Sequence, residues 1–315
     1  MNQNHLGNEI LKSVSRSFYL TIRVLPRELR EPIGLAYLLA RTSDTIADST
    51  TAPAEVRLKN LAAFREMIEQ GLDSVKLRML RAEIVPADTS ERYLIDCADE
   101  CLTWLHSVFS VDRADIVDVL RTITRGQELD LVRLNSCAGT VANTQELEEY
   151  TYLVAGCVGE FWTRICFRHV ANYASLDIEA MEGLGRNFGK GLQLVNILRD
   201  LPADLKSGRC YLPNDELAAA HIHPKELLTK PFGAHEIVEK WIARAEELLA
   251  DGKRYIDAIR SWRLRYACIL PWALGVRTLL YLRKHPPLET SVRIKVPRHE
   301  VRAIMVRSLF DAVKR

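Results

Sequence analysis

The chain has 315 residues, 48% of them hydrophobic and 27% charged, and its 43 Lys and Arg nearly cancel its 41 Asp and Glu to a formal charge of +2. A nucleic-acid binder would carry a clustered cationic excess and a disordered chain would be poor in apolar residues, so both classes are excluded. With only 15 Gly and 12 Pro, few turns are needed, and the expectation is long helices packed into one large all-α domain spanning residues 1–315.

The N-terminus, Met1 to Lys12, has no apolar run of signal-peptide length. Residues 31–50 read EPIGLAYLLARTSDTIADST, apolar enough to be buried yet containing Arg41, Asp44 and Asp48. Asp44 and Asp48 are one helical turn apart, Arg41 precedes Asp44 by three and Tyr37 by seven, so all four share a helix face. Ionisable groups on a core-facing stripe are costly unless paired or bound to a metal. Two readings stay open at this point: an Arg41–Asp44 ion pair beside a solvated Asp48, or part of a cation site.

Helix starts are signalled by Asp88 with Glu91 and Asn143 with Glu146, at capping-box spacing, and by the entries Pro213–Glu216 and Pro224–Glu226. Ala155, Gly156 and Gly159 supply small residues for close helix packing or for room beside an extended chain. From Phe188 to Pro213 the sequence is FGKGLQLVNILRDLPADLKSGRCYLP. Here Gln193, Asn196, Asp200 and Asp204 stand at offsets 0, 3, 7 and 11, again one helical stripe set in Leu, Val and Ile. Pro202, between the two aspartates, predicts a kink if the helix persists. Trp241, Ala245, Leu248, Gly252, Tyr255 and Ile259 draw an apolar stripe down another long helix.

The longest apolar run, Ala267 to Leu282, is interrupted by Arg277 and falls short of the roughly 18–20 residues of a membrane span. The seven cysteines (97, 101, 137, 157, 166, 210 and 268) are scattered and odd in number, as expected of buried thiols in a reducing cytoplasm. Cys97 and Cys101 have no histidine at ligand spacing, so no zinc site is expected, and the histidines are read as solvated surface. No Glu-x-x-His pair of a di-iron bundle is present.

Each of the two polar stripes thus offers two carboxylates one turn apart and an arginine beside the first, Arg41 or Arg199. Facing carboxylate pairs make a hard-oxygen site suited to Mg²⁺, which keeps several waters and meets a substrate's phosphate oxygens. The arginines would fork onto the same phosphates. Such a site promotes loss of diphosphate by neutralising charge on the leaving group, and the apolar remainder would hold the organic part.

These residues resemble the squalene/phytoene synthase family, the head-to-head prenyl transferases. The likeness is carried by SRSFYL (residues 15–20), YLLARTSDTIAD (37–48), YTYLVAGCVG (150–159), QLVNILRDLPADLKSGRCYLP (193–213) and a looser RLRYACILPWALGVRTL (263–279). The fourth segment is the most specific. The resemblance implies a single-domain, all-α isoprenoid-synthase bundle with a central active-site cavity. It implies that Asp44, Asp48, Asp200 and Asp204 hold Mg²⁺, with Asn196 and Gln193 supporting the second site. Arg41, Arg199 and Arg209 would contact diphosphate, and Ser15, Arg16 and Ser17 would help cover it. Tyr150 and Tyr37 would stand among the catalytic groups. The implied reaction joins two prenyl diphosphates through a cyclopropylcarbinyl diphosphate, which ionises again and rearranges to a linear hydrocarbon. Because a phenol is a weak base near neutral pH, the released diphosphate is the expected proton acceptor, with tyrosine as relay.

Within the family the C-terminal segment and RIKVPR (293–298) look more like squalene synthases, which use two farnesyl diphosphates and NADPH. Arg293 and Lys295 are then candidates for an NADPH phosphate. GRCYLP is shared with phytoene synthase-like members, so phytoene or dehydrosqualene formation without reduction is the alternative, and a non-catalytic helical assembly protein a remote one. The expected setting is a cytoplasmic monomer or weak oligomer with loose contact to a membrane surface, binding no nucleic acid.

Overall fold

The computed structural model describes residues 10–14, 18–136, 139–229, 231–288 and 294–314. Among the described residues the regular structure is helical, apart from two isolated bridges, Thr140 with Cys210 and Ala174 with Ile259. Contacts divide the chain into two compact units, one of residues up to Val132 with Arg164–Ala171, the other of Arg133–Thr163 with Asn172–Arg315.

The first unit begins with the short helices α1 (Leu11–Val14) and α2 (Phe18–Val24) and is organised on α3 (Arg27–Ala47). Pro26 caps α3, and Leu29, Ile33, Leu35, Leu38, Leu39 and Ile46 are buried along it. Thr42, Ser43 and Thr45 are buried too, and their hydroxyls are satisfied within the helix, on the carbonyls of Leu38, Ala40 and Arg41. Around α3 pack α4 (Ala54–Gln70), α6 (Thr89–Asp96) and α7 (Ala98–Ser107), with α5 (Ser74–Glu83) against α4 and α7. Asp73 and Asp88 cap α5 and α6 by accepting backbone N–H groups, the second as its spacing with Glu91 predicts. The long α8 (Ser110–Ser136) follows. Arg168 and His169, in the Arg164–Ala171 segment, both reach the buried Asp112, with His169 Nε2 2.8 Å from its carboxylate. The half-buried His169 therefore corrects the surface reading of the histidines: a buried carboxylate needs polar partners, and Arg168 and His169 supply them.

In the second unit α9 (Thr144–Thr151), capped by Asn143, runs through a π-helical turn (Tyr152–Gly156) into α10 (Cys157–His169), the last residues of which belong to the first unit. The 29-residue α11 (Ile178–Lys206) packs on α13 (His235–Ala258) and α14 (Trp262–Lys284), and α15 (Arg298–Val313) packs on α14; α12 (Asn214–Ala219) is short. The predicted stripe of α13 is buried from Trp241 to Tyr255, with Ile259 just past its end. Leu248 and Ile259, both fully buried, each contribute roughly 1.5–3 kcal/mol. Pro202 lies inside α11, which continues four residues beyond it. Glu148 of α9 accepts from Arg244 of α13 and pairs with Lys190 of α11, tying three helices together. Burial alone would raise its carboxyl, but these hydrogen bonds hold it below the usual range. The six described cysteines are buried and in no disulfide among the described residues; Cys137 lies outside the described residues. No described helix is long and apolar enough to cross a membrane.

Candidate active site

From Pro32 to Ala47 α3 is buried except at Tyr37, Ala40, Arg41 and Asp44, which with the cap residue Asp48 follow one another along a single face. Asp44 keeps a window to solvent but sits deep, and desolvation, reinforced by Asp48 and to a lesser extent Glu91, pushes its carboxyl up to about 7 against the opposing pull of Arg41 and Gln127. Asp48, exposed, ends the helix, its N–H bonded to the Asp44 carbonyl at 2.8 Å. Arg41 does not take Asp44 as its ion-pair partner: Nη2 meets Glu91 at 2.5 Å, while its buried Nε has no acceptor among the described residues. Tyr37 donates its hydroxyl to the Val14 carbonyl at 3.4 Å.

One partner of this face is absent from the motifs. Gln127 of α8 donates Nε2 to Asp44 Oδ1 at 2.5 Å. A signal for it did exist: Ile116, Leu120, Ile123, Thr124, Gln127 and Leu131 form the buried stripe of α8, and Gln127 is the amide interrupting it.

On α11 the same offsets recur, with Gln193, Asn196, Asp200 and Asp204 on the incompletely covered face between buried Leu194, Val195, Ile197, Leu198 and Leu201. Asn196 Nδ2 donates to Gln193 Oε1 at 3.4 Å. Arg199 forks onto its neighbour Asp200, Nη2 to Oδ2 at 2.5 Å and Nε to Oδ1 at 3.1 Å. After the helix the chain turns at Gly208 (φ 83°), and the backbone N–H of Arg209 returns to the Asp204 carbonyl. Cys210 then bonds both ways with the Gly139–Val141 segment, fixing the turn that carries Arg209 and Tyr211. Gly139 (φ 69°) is required there, since a side-chain carbon would lie 1.9 Å from the Gly208 carbonyl oxygen.

Tyr150, buried at the end of α9, stacks on Tyr211 with ring centroids 5.1 Å apart and donates its hydroxyl to that of Tyr211 at 3.4 Å. Arg133, held by Glu146 at 2.6 Å, lies over the Tyr150 ring. Tyr211 and Arg133 were not singled out in the sequence, although Tyr211 stands within the most specific segment. The small residues beside Tyr150 serve backbone contact: a methyl on Gly159 would meet the Gly185 carbonyl oxygen, and one on Gly189 that of Ala155. Lys295 is exposed in the non-helical stretch before α15; Ser15, Arg16, Ser17 and Arg293 lie outside the described residues.

No group of three or more His, Cys, Asp or Glu side chains among the described residues converges as a ready metal cluster. Within the first unit the donors nevertheless fit a hard cation completed by substrate oxygens: Asp44 sits deep, Asp48 stands one turn on, and Gln127 brings a buried amide oxygen with no donor among the described residues.

A long-helix, all-α fold with aspartate pairs set among the buried apolar residues of its helices defines the isoprenoid-synthase class of architecture. The chain belongs to the squalene/phytoene synthase family, whose profile matches residues 11–300. It is 27% identical over 289 residues to the squalene synthase of Gibberella zeae, covering 90% of this chain and 60% of that one. It is 24% identical over 283 residues to the chloroplastic phytoene synthase 2 of Solanum lycopersicum, covering 90% and 80%. The chain thus spans about three-fifths of the length of the fungal relative. In three dimensions it is similar to a ligand complex of TcSQS, with a TM-score of 0.77 at 20% identity over 99% of this chain and 89% of that one, a likeness of fold.

Proposed function

We propose that the protein condenses two farnesyl diphosphates head to head, through a cyclopropylcarbinyl diphosphate, to squalene with NADPH as reductant. The observation that carries this reading is a polar face found on two helices, with Tyr37, Arg41, Asp44 and the cap residue Asp48 at offsets 0, 4, 7 and 11 along α3 and Gln193, Asn196, Asp200 and Asp204 at offsets 0, 3, 7 and 11 along α11, each set among buried apolar residues. These four carboxylates, with Asn196 and Gln193, are the oxygen donors for Mg²⁺. When bound, Mg²⁺ neutralises charge on the departing diphosphate. Arg41, Arg199 and Arg209 bind diphosphate oxygens; Arg41 brings an unengaged Nε to that task, whereas Arg199 must exchange part of its fork on Asp200 for phosphate.

In the first half-reaction the allylic C–O bond of one substrate breaks, the alkene of the other captures the cation, and loss of a proton closes the cyclopropane. The Tyr150 hydroxyl passes that proton on, and its contact with the Tyr211 hydroxyl extends the relay toward released diphosphate. In the second half the cyclopropylcarbinyl C–O bond breaks and the carbon skeleton rearranges; NADPH, when bound, would supply the hydride that completes the product. Lys295 is assigned to the NADPH phosphate, along with Arg293. The segment at 263–279 and RIKVPR support the reductive reading over phytoene synthesis, the activity of the tomato relative.

The test is product analysis of the purified protein with C15 and C20 diphosphates and Mg²⁺, with and without NADPH. Squalene from farnesyl diphosphate only when NADPH is present is the expected result. Dehydrosqualene in both reactions removes the reductive step, and preference for geranylgeranyl diphosphate without a nicotinamide effect establishes phytoene synthesis instead.

A further inference from the structure

Gln127 is an amide with one half used. Its side chain belongs to the core stripe of α8, only 9% of the residue being exposed. Nε2 donates to Asp44 Oδ1 at 2.5 Å, the orientation demanded by the ionised carboxylate that would bind a cation, since that form offers acceptors and no donor. The amide oxygen belongs to the same planar group, adjacent to that contact. It is buried and has no hydrogen-bond donor among the described residues. A buried amide oxygen left without a donor costs free energy, and natural cores rarely retain one without a use. A Leu or Met would fill the same space in the stripe with no such cost. The amide therefore answers a demand from its partner, and that partner is the deepest carboxylate of the α3 face.

We infer that Gln127 is a positioning residue for the cation held at Asp44: Nε2 fixes Oδ1 so that Oδ2 is presented to the metal, and Oε1 accepts a hydrogen bond from a water in the metal's hydration shell. This rests on the metal–diphosphate reading above. Mg²⁺ dehydrates reluctantly and keeps several waters when carboxylates and phosphates bind it. Those waters donate and do not accept, so a buried acceptor next to the carboxylate ligand is the complement they need. The neighbouring Arg41 Nε, buried and without an acceptor, is the complementary case: a donor suited to a phosphate oxygen. The sequence motifs supply the carboxylates and the arginine, while the amide comes from a helix 83 residues further along the chain.

Gln127→Met keeps volume and removes both functions of the amide; Gln127→Asn keeps the amide but withdraws it by one methylene. Binding of Mn²⁺ in the presence of inorganic diphosphate, followed by electron paramagnetic resonance, reads the site without turnover. Both variants are expected to bind Mn²⁺ about 10-fold or more weakly, within the 10–100-fold range for outer-shell partners of a metal site. The Mg²⁺ activation constant should rise in parallel while kcat at saturating Mg²⁺ falls less, a split that a merely structural role would not produce. Thermal melts without metal check that each variant is folded, and Gln127→Asn carries the test if Gln127→Met is not. Wild-type affinity in a folded variant overturns the inference, and so does undiminished binding by Asp44→Asn, which would place the cation away from the carboxylate that Gln127 holds. Absence of Mn²⁺ binding by the wild-type protein itself overturns the metal–diphosphate reading, and the role of Gln127 with it.

Discussion

Gly159 of α10 and Gly185 of α11 face each other so closely that a methyl group on Gly159 would lie 2.0 Å from the Gly185 carbonyl oxygen. The obstacle is backbone, so no rotamer change can relieve it. Gly159→Ala is expected to destabilise the protein by about 2–3 kcal/mol, as overpacking does. Gly183, on the same α11, has nothing within 4 Å of an added methyl group. Gly183→Ala should therefore stabilise by about 0.5–1 kcal/mol through helix propensity. Denaturant unfolding of the two variants checks the pair, and equal effects would refute the contact.

The raised carboxyl of Asp44 sets a pH dependence of stability. Between the ordinary aspartate value near 3.8 and its folded value of about 7, the folded chain keeps a proton that the unfolded chain has lost. Stability of the metal-free protein therefore falls as pH rises through that window. Asp44→Asn removes this contribution, so the variant should exceed the wild type in stability by on the order of 2–4 kcal/mol above pH 7, with the gap shrinking toward pH 4. Melts in a chelator from pH 4 to 8 measure it; a gap independent of pH would contradict it. The same variant should lose most turnover.

Burial pushes the thiols of Cys101 and Cys268 up to about 12 and that of Cys210 up to about 11. Since the thiolate is the reactive form, a maleimide at pH 8 should leave the six described cysteines unmodified in the folded protein and label them after unfolding. Site-resolved mass spectrometry reads the result, and rapid labelling of Cys101 or Cys268 in the native state would overturn the packing described around them.

Tyr150→Phe keeps the ring that stacks on Tyr211 and removes only the hydroxyl. The fold should survive, and formation of the cyclopropylcarbinyl diphosphate should slow by about 10²-fold or more. Accumulation of that intermediate would instead assign Tyr150 to the second half-reaction.

Much of this was legible in the sequence, and for a local reason. Helical periodicity repeats every 3.6 residues, so the faces of α3 and α11, the buried stripe of α13 and the Asp88 and Asn143 caps depend on nearby residues alone. The aspartate pairs stood out because carboxylates interrupt apolar stripes there. Partners across the fold were not legible. Arg41 pairs with Glu91, fifty residues on, and not with Asp44, because packing of α6 against α3 brings a carboxylate to its guanidinium. His169, read as surface, reaches a buried Asp112 fifty-seven residues away.

The sequence by itself determined which residues share a helix face, and with them the family, the all-α fold and the aspartate pairs. Only the tertiary structure decided what those faces meet: Gln127 on Asp44, Tyr211 on Tyr150, Gly185 against Gly159. Face membership follows from the geometry of one helix, whereas hydrogen bonds and close contacts between distant residues depend on how helices pack, which no local spacing encodes.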